Sequence, residues 1–124
     1  MAASTTPRFG TAAGDDNTGR VITHDFKRPA YAATVNLKPN ASKTFAFFAT
    51  LTGAITINVD TSRAFAGDEL IIVLASDGTS RTATLGTGTK TTSGTIAPAI
   101  SKKASIRFVF DGTDWVEFSR GVMA

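Results

Sequence analysis

Neighbouring carboxylates are the residues of this sequence that come closest to a catalytic pattern. They occur at Asp15-Asp16, at Asp68-Glu69 and at Asp111 with Asp114. Acid–base catalysis needs carboxylates whose surroundings push their pKa values apart across a substrate cleft. Two of these pairs fall in predicted turns and the third at the start of a predicted strand, where acidic residues are common for turn formation and solubility. We therefore expect no glycosidase-like site from them.

The chain contains few residues that could act as nucleophiles or as metal ligands. It contains no cysteine and one histidine, His24, which excludes disulfides, thiolate catalysis and cysteine-based zinc sites. No serine lies in a nucleophile motif. Residues 15–19 (Asp-Asp-Asn-Thr-Gly) are rich in oxygen ligands but lack the alternating spacing and distal glutamate of a calcium loop. We predict no catalytic residues, no metal site and no cofactor, so the protein is not expected to be an enzyme.

The charge pattern argues against a nucleic-acid partner. Thirteen Lys and Arg against ten Asp and Glu give a net charge of +3 over 124 residues, and the basic residues are spread along the whole chain. A nucleic-acid binder concentrates them on one face or arm, because affinity grows with the number of phosphates neutralised locally. No apolar run reaches the roughly 18 residues of a membrane span, and no secretion signal is recognisable. We expect a soluble protein with neither a nucleic-acid nor a membrane partner.

The chain divides into a short arm and one domain. Residues 1–20 are rich in Ala, Thr, Gly and Asp and show no hydrophobic periodicity, which predicts an extended or flexible N-terminal arm. Such an arm is either a plain terminus or a segment that docks on a partner. In the second case Arg8, Phe9 and Arg20 are the candidate anchors. Residues 21–124 form the predicted domain.

Strands dominate the predicted domain. Apolar and polar residues alternate in segments 31–37, 45–51, 55–59, 81–85 and 105–118, which is the period of half-buried strands. Thr52-Gly53 predicts a tight hairpin, residues 81–85 a strand returning from the preceding one, and residues 111–114 a looser hairpin. Residues 68–75 predict a central strand buried on both faces, and residues 86–99 a long loop or weak edge strand.

No segment shows the apolar spacing of a helix. The sequence therefore predicts an all-β fold, an antiparallel β-sandwich or jelly-roll-like barrel of about eight short strands.

Alternation also divides the aromatic side chains into two groups. Phe45, Phe47, Phe108 and Phe110 are predicted to face the core. Phe48 and Trp115 fall on the opposite faces of their strands, so one of them could be exposed, as a ligand contact or a contact with a neighbouring subunit. Core or subunit contact is favoured, because an aromatic ligand platform needs about three clustered exposed rings and the alternation offers two.

Three stretches of the C-terminal half carry a family resemblance. They are the segment from Gly67-Asp68-Glu69-Leu70 through Ser80-Arg81-Thr82-Ala83-Thr84-Leu85-Gly86, the Thr- and Gly-rich stretch ending in Gly94-Thr95, and Ile106-Arg107-Phe108-Val109-Phe110-Asp111-Gly112-Thr113-Asp114-Trp115-Val116-Glu117-Phe118-Ser119-Arg120. Together, residues 67–120 resemble small β-rich capsid proteins of tailed bacteriophages, of the decoration, cement and head-fibre type. The resemblance implies a β-sandwich or jelly-roll-like fold, a homotrimer, and a position on the outer capsid surface of the virion with the major capsid protein as partner.

On this resemblance we expect a structural virion protein, synthesised in the host cytoplasm, that stabilises contacts between capsomers. The arm would then clamp capsomers, and three arms on one trimer bind at a far higher effective concentration than one. The alternative is a receptor- or glycan-binding fibre module that uses the loops at residues 87–93 or 111–114.

Overall fold

Ten β-strands make up the regular structure of residues 23–124, the part of the chain that the computed structural model describes. They are β1 (His24–Lys27), β2 (Thr34–Leu37), β3 (Lys43–Phe47), β4 (Ile55–Val59), β5 (Glu69–Ala75), β6 (Ala83–Leu85), β7 (Thr89–Lys90), β8 (Thr95–Ile96), β9 (Lys103–Phe110) and β10 (Trp115–Val122). No helix occurs among these residues, which confirms the all-β class. The predicted arm, residues 1–20, lies outside the described residues.

The strands form two sheets that face each other across the core. One sheet has six strands in the order β1-β3-β5-β9-β10-β7, and the other has four in the order β2-β4-β6-β8. The first six strands alternate between the sheets and pair in parallel within each. Each consecutive pair is therefore one coil of a solenoid-like stack, and the expectation of an antiparallel arrangement is wrong for this half of the chain.

The predicted hairpin at Thr52-Gly53 is a crossing between sheets. The chain leaves β3 in the six-stranded sheet, passes the fully buried Leu51 and enters β4 in the four-stranded sheet. The predicted return strand at 81–85 likewise crosses over, and β6 pairs in parallel with β4 instead of with β5. Alternation shows that a segment buries one face, but it does not show which strand the segment pairs with.

The core is filled from both sheets. The six-stranded sheet contributes, among others, Ala46, Phe48, Leu70, Ile72, Leu74, Ile106, Phe108 and Trp115, and the four-stranded sheet contributes Leu37, Ile55, Ile57, Val59, Ala83, Leu85 and Ile96. β5 is central, between β3 and β9, as predicted. However, Ile71 and Val73 on its other face are half-buried, so the prediction of burial on both faces is wrong.

At the β1 end of the six-stranded sheet, charged side chains occupy the core side of the strand. Asp25 pairs in register with the buried Thr44, and Lys27 with the buried Ala46. Their side chains form an ion pair of 3.1 Å between Lys27 Nζ and Asp25 Oδ2. On its core side β1 therefore carries a salt bridge, whereas β3 and β5 carry buried side chains on that side.

The strands β9 and β10 form the antiparallel hairpin that the turn at 111–114 predicts. Asp111 Oδ1 accepts hydrogen bonds from the backbone N–H groups of Thr113 and Asp114, each at 2.8 Å, and these bonds lower the pKa of Asp111. Trp115 begins the second strand, is fully buried, and donates its indole N–H to the Asp60 carbonyl at 3.0 Å. The hairpin is thus fixed to the loop that follows β4.

An ion pair on β10 holds the segment that connects β7 to β8. Arg120 Nε lies 2.8 Å from Glu117 Oε2, and Arg120 also donates to the carbonyls of Thr95 and Ser93. Glu117 accepts in addition from the backbone N–H of Thr92 at 3.0 Å. The Arg120 guanidinium lowers the pKa of Glu117 from 4.5 to about 2. Residues 86–99, predicted as a long loop or weak edge strand, therefore contain two short edge strands and are held to β10 by these bonds.

We expect Glu117→Gln to lower the free energy of unfolding by about 1–3 kcal/mol near neutral pH, because Arg120 keeps its charge and loses its carboxylate partner. The pKa of Glu117 is lower in the folded chain, so its contribution is complete above about pH 5 and is lost as the pH falls toward 2. Urea unfolding at several pH values measures both effects. A variant whose stability declines with acid as steeply as that of the wild type would contradict this role.

Gly88 offers a second test, because its φ is +85° and an added Cβ would collide with the carbonyl oxygen of Val59. We expect Gly88→Ala to lower the free energy of unfolding by about 2 kcal/mol or more. Gly78 is the matched control, since an added Cβ there meets nothing within 4 Å. Gly78→Ala should leave stability unchanged or raise it by about 0.5 kcal/mol. Equal effects in thermal unfolding would show that the contact at Gly88 is unimportant.

Candidate functional site

The outer face of the six-stranded sheet, turned away from the core, carries a group of apolar side chains with charged and polar side chains among them. Two of the most exposed large apolar residues, Phe26 at 63% and Phe118 at 66%, belong to it. Its members alternate along their strands with the core residues, and we call this surface the aromatic face. Its apolar residues are Phe26, Phe45, Phe47, Ile71, Val73, Val109, Val116 and Phe118.

Three of these phenylalanines form a stack. Phe26 lies beside Phe45 because β1 and β3 pair in parallel register, and Phe47 follows two residues later on the same face. The ring centroids of Phe26 and Phe45 are 5.1 Å apart with an interplanar angle of 14°. Those of Phe45 and Phe47 are 5.9 Å apart at 6°. The centroids of Phe26 and Phe47 are 6.4 Å apart at 10°, so the three nearly parallel rings form a compact cluster.

The placement of Phe45 and Phe47 corrects the prediction that they face the core. Both are half-buried on the outer face, whereas Ala46 and Phe48 point inward. The register with β5 sets Phe45 beside Ile71 and Ala46 beside Ile72, which is fully buried. Alternation predicted correctly which side chains share a face, but it does not determine which face is inside.

Cations cover part of the exposed ring surface. The Arg28 guanidinium carbon lies 5.3 Å from the centroid of Phe47, and that of Arg107 lies 4.8 Å from the centroid of Phe118. Lys43 Nζ is 5.8 Å from the centroid of Phe45. All three distances are within the range of cation–π attraction. The cations thus cover ring faces that a flat ligand would otherwise use.

The charges on the aromatic face neutralise each other within the sheet. Glu69 on β5 lies between Lys43 on β3 and Arg107 on β9. Its carboxylate is 3.8 Å from Lys43 Nζ and 3.1 Å from Arg107 Nε. This charged row (Lys43, Glu69, Arg107) alternates in sign from strand to strand. The aromatic face therefore combines apolar contact with locally paired charge.

The opposite outer surface, on the four-stranded sheet, is polar. Its outward positions are Thr34, Asn36, Thr56, Asn58, Thr84 and Thr95. Asn58 donates to Asn36 Oδ1 at 3.1 Å and accepts from the backbone N–H of Thr87 at 2.9 Å. A groove of about 360 Å³ lies at the ends of β2, β4 and β6 beside these asparagines. Its asparagines bond to each other and to backbone, so they stabilise the stack of coils.

The two described side chains predicted as ligand or subunit contacts lie elsewhere. Phe48 is 7% exposed and Trp115 is fully buried, so both are core residues and offer no surface to a ligand. The arm anchors Arg8, Phe9 and Arg20 lie outside the described residues. Sequence reasoning missed Phe26, because its strand, His-Asp-Phe-Lys, contains one apolar residue and too little alternation to be recognised.

The predicted carboxylate pairs have structural partners where they are described. Asp68 is buried and accepts from the backbone N–H of Phe65 at 2.9 Å, and Asp111 closes its turn. Within residues 23–124, no group of three or more His, Cys, Asp and Glu side chains is placed to hold a metal ion, and no membrane-spanning helix was found. No protein-family model and no curated protein matches this sequence.

Because Phe26 and Phe118 are largely exposed, we expect Phe26→Ser and Phe118→Ser each to change the free energy of unfolding by less than about 1 kcal/mol. Phe108, which is fully buried, is the control, and Phe108→Ala should cost about 3–5 kcal/mol. Urea denaturation measures all three. A loss of several kcal/mol in either serine variant would show that the aromatic face belongs to the folding core.

Proposed function

We propose that this protein is a structural virion protein of the phage decoration or cement type, which binds the outer surface of a capsid and stabilises contacts between capsomers. The observation that carries the proposal is the aromatic face. It is an apolar surface with paired charges on a fold held by two sheets, and what such a surface does is adhere to another surface by burying area.

The ring geometry favours a protein partner over a carbohydrate or a single-stranded nucleic acid. Sugars and bases stack on free ring faces. Here the rings of Phe26, Phe45 and Phe47 are clustered with every pair of centroids within 6.4 Å, and Arg107 covers Phe118. Neighbouring rings and cations therefore crowd the ring surfaces, which suits packing among the side chains of another protein surface.

The motif that carries the phage resemblance has a physical role at each of its main positions. Asp111 closes the turn, Trp115 anchors the hairpin in the core, and Glu117 with Arg120 fastens the β7–β8 segment. These roles account for the motif as a unit of folding. They are compatible with a shared C-terminal hairpin, and the capsid partner comes from the resemblance itself.

In the proposed assembly the protein is a homotrimer and the N-terminal arm contacts the major capsid protein. Symmetric copies of a weak contact add up, because the second and third arms bind at the effective concentration set by the first. Arg8 and Arg20 supply charge and Phe9 supplies apolar area. The domain then acts as the rigid body that holds the three arms.

Rebinding to capsids that lack the protein tests this proposal. Capsids assembled from the major capsid protein of the same phage should take up the wild-type chain to saturation. We expect the triple variant Arg8→Ala, Phe9→Ala, Arg20→Ala to need at least about tenfold more protein for the same occupancy, since three anchors are lost on each of three arms. Sedimentation of capsids with bound protein measures occupancy.

The matched control removes two cations and one phenylalanine from the domain, as Lys38→Ala, Arg63→Ala, Phe65→Ala, all exposed residues in loops. It should bind as the wild type does. Unchanged occupancy of the arm variant would remove the arm from the proposal, and a wild-type chain that ignores capsids would remove the capsid role. Binding on a glycan array that depends on residues 87–93 would favour the fibre module instead.

A further inference from the structure

We propose that the part of the aromatic face between Arg28 and Lys103 binds an extended acidic segment of a partner protein, with a carboxylate at each end and an apolar side chain between them. The inference rests on the proposed adhesive role and deepens it, because it names the chemistry of the surface to which the aromatic face adheres. The occupant is a short segment, so the contact does not require the roughly 800 Å² that each partner buries in a standard interface.

The aromatic face carries a surplus of positive charge. Within the charged row, the carboxylate of Glu69 is already shared between Lys43 and Arg107. Arg28 and Lys103 lie outside that row, are exposed, and form no ion pair with another described residue. Four cations against one carboxylate leave these residues with a net charge of +3. An acidic partner is therefore the one that this end of the face attracts.

The other carboxylates near this surface are already paired. Asp77 follows the end of β5, and its two carboxylate oxygens accept hydrogen bonds from Arg81 Nε at 2.8 Å and Arg81 Nη2 at 3.0 Å. These bonds lower the pKa of Asp77. Asp25 pairs with Lys27 on the core side of β1. Neither carboxylate neutralises the surplus on the aromatic face, so the surplus is left for a partner.

Two apolar side chains, Phe47 and Val73, form a floor between the two cations. The Arg28 guanidinium carbon lies 5.3 Å from the ring centroid of Phe47, and the parallel register sets Phe47 beside Val73. Val73 pairs in turn with Ser105 on β9, two residues from Lys103. Because the floor is half-buried, it offers apolar area that one side chain of a partner can cover.

The separation of the cations sets the pattern of the segment. Arg28 follows β1 and Lys103 begins β9, which is the third strand along from β1 in the order β1-β3-β5-β9. Three strand spacings are roughly 14 Å, and an extended chain advances about 3.3 Å per residue with every second side chain on the same face. Residues i, i+2 and i+4 of such a chain therefore face the sheet over roughly 13 Å. Carboxylates at i and i+4 reach the two cations, and an apolar side chain at i+2 covers the floor. The long Lys103 side chain spans its offset along β9.

Nuclear magnetic resonance titration of the isotope-labelled protein tests the inference. The probe is the acetylated and amidated peptide Ser-Glu-Thr-Phe-Thr-Glu-Ser. We expect a dissociation constant of about 0.1–1 mM, with shifts centred on the amides of Arg28, Phe47, Val73 and Ser105. The isomer Ser-Thr-Glu-Phe-Glu-Thr-Ser has the same composition and charge, but its carboxylates point away from the sheet when its phenylalanine covers the floor. It should bind about fivefold more weakly, since two exposed ion pairs are lost.

Charge reversal supplies a second measurement. Arg28→Glu with Lys103→Glu should weaken binding of the peptide about tenfold or more, because attraction at both ends becomes repulsion. The matched control, Lys38→Glu with Arg63→Glu, makes the same change of net charge at exposed residues in loops. It should bind within about twofold of the wild type, since charges beyond the Debye length are screened. The amide spectrum of each variant establishes that it is folded.

This inference and the proposed function fail separately. No binding at about 5 mM peptide, equal binding of the isomer, or unchanged binding by the folded Arg28→Glu, Lys103→Glu variant overturns the acidic segment, whatever the capsid result. An eight-nucleotide thymidine oligomer that shifts the same amides and binds more tightly than the peptide also overturns it, and assigns the cations to a nucleic acid. Peptide binding as expected by a chain that ignores capsids overturns the capsid role and leaves this site standing.

Discussion

The parallel register between β3 and β5 decides which side chains this protein hides and which it presents. Phe45 lies beside Ile71, and Ala46 beside Ile72. A slip of one residue would exchange the two faces of β3 and send its phenylalanines inward. The register is kept although it buries the hydroxyl of Thr44 without a hydrogen-bond partner among the described residues, a cost of about 1–3 kcal/mol. The large core side chains of β5 therefore decide the alignment, and the aromatic face is its consequence.

The C-terminal hairpin extends the six-stranded sheet and closes the core that the parallel coils form. β9 pairs antiparallel with β5 and extends its sheet by a long strand whose core side is fully apolar. β10 then carries Trp115 into the core, and the Glu117–Arg120 pair holds the β7–β8 segment against it. The same two strands present Arg107, Val109, Val116 and Phe118 outward. One hairpin thus closes the core and widens the surface on which the proposed assembly depends.

Local signals in the sequence were sufficient where neighbours in the chain are also neighbours in space. The hairpin at 111–114 was predicted because a turn with Asp111 and Gly112 joins two strands that pair directly. The crossing at Thr52-Gly53 was misread, because β3 pairs with β5, and Phe45 meets a residue 26 positions further along the chain. No local pattern encodes such a pairing. For the same reason, the prediction grouped Phe45 and Phe47 correctly on one face but placed that face in the core. It did not identify Phe26.

The ion pair between Asp25 and Lys27 has a consequence for growth of the stack. Parallel coils of this kind can in principle add further coils, or strands of other molecules, at an open edge, which is how fibrils elongate. Any strand added beside β1 would have to cover two charges on its core side, and their desolvation opposes such addition. Among residues 23–124, β1 is the edge strand of its sheet, and addition of a further strand at this edge is therefore disfavoured.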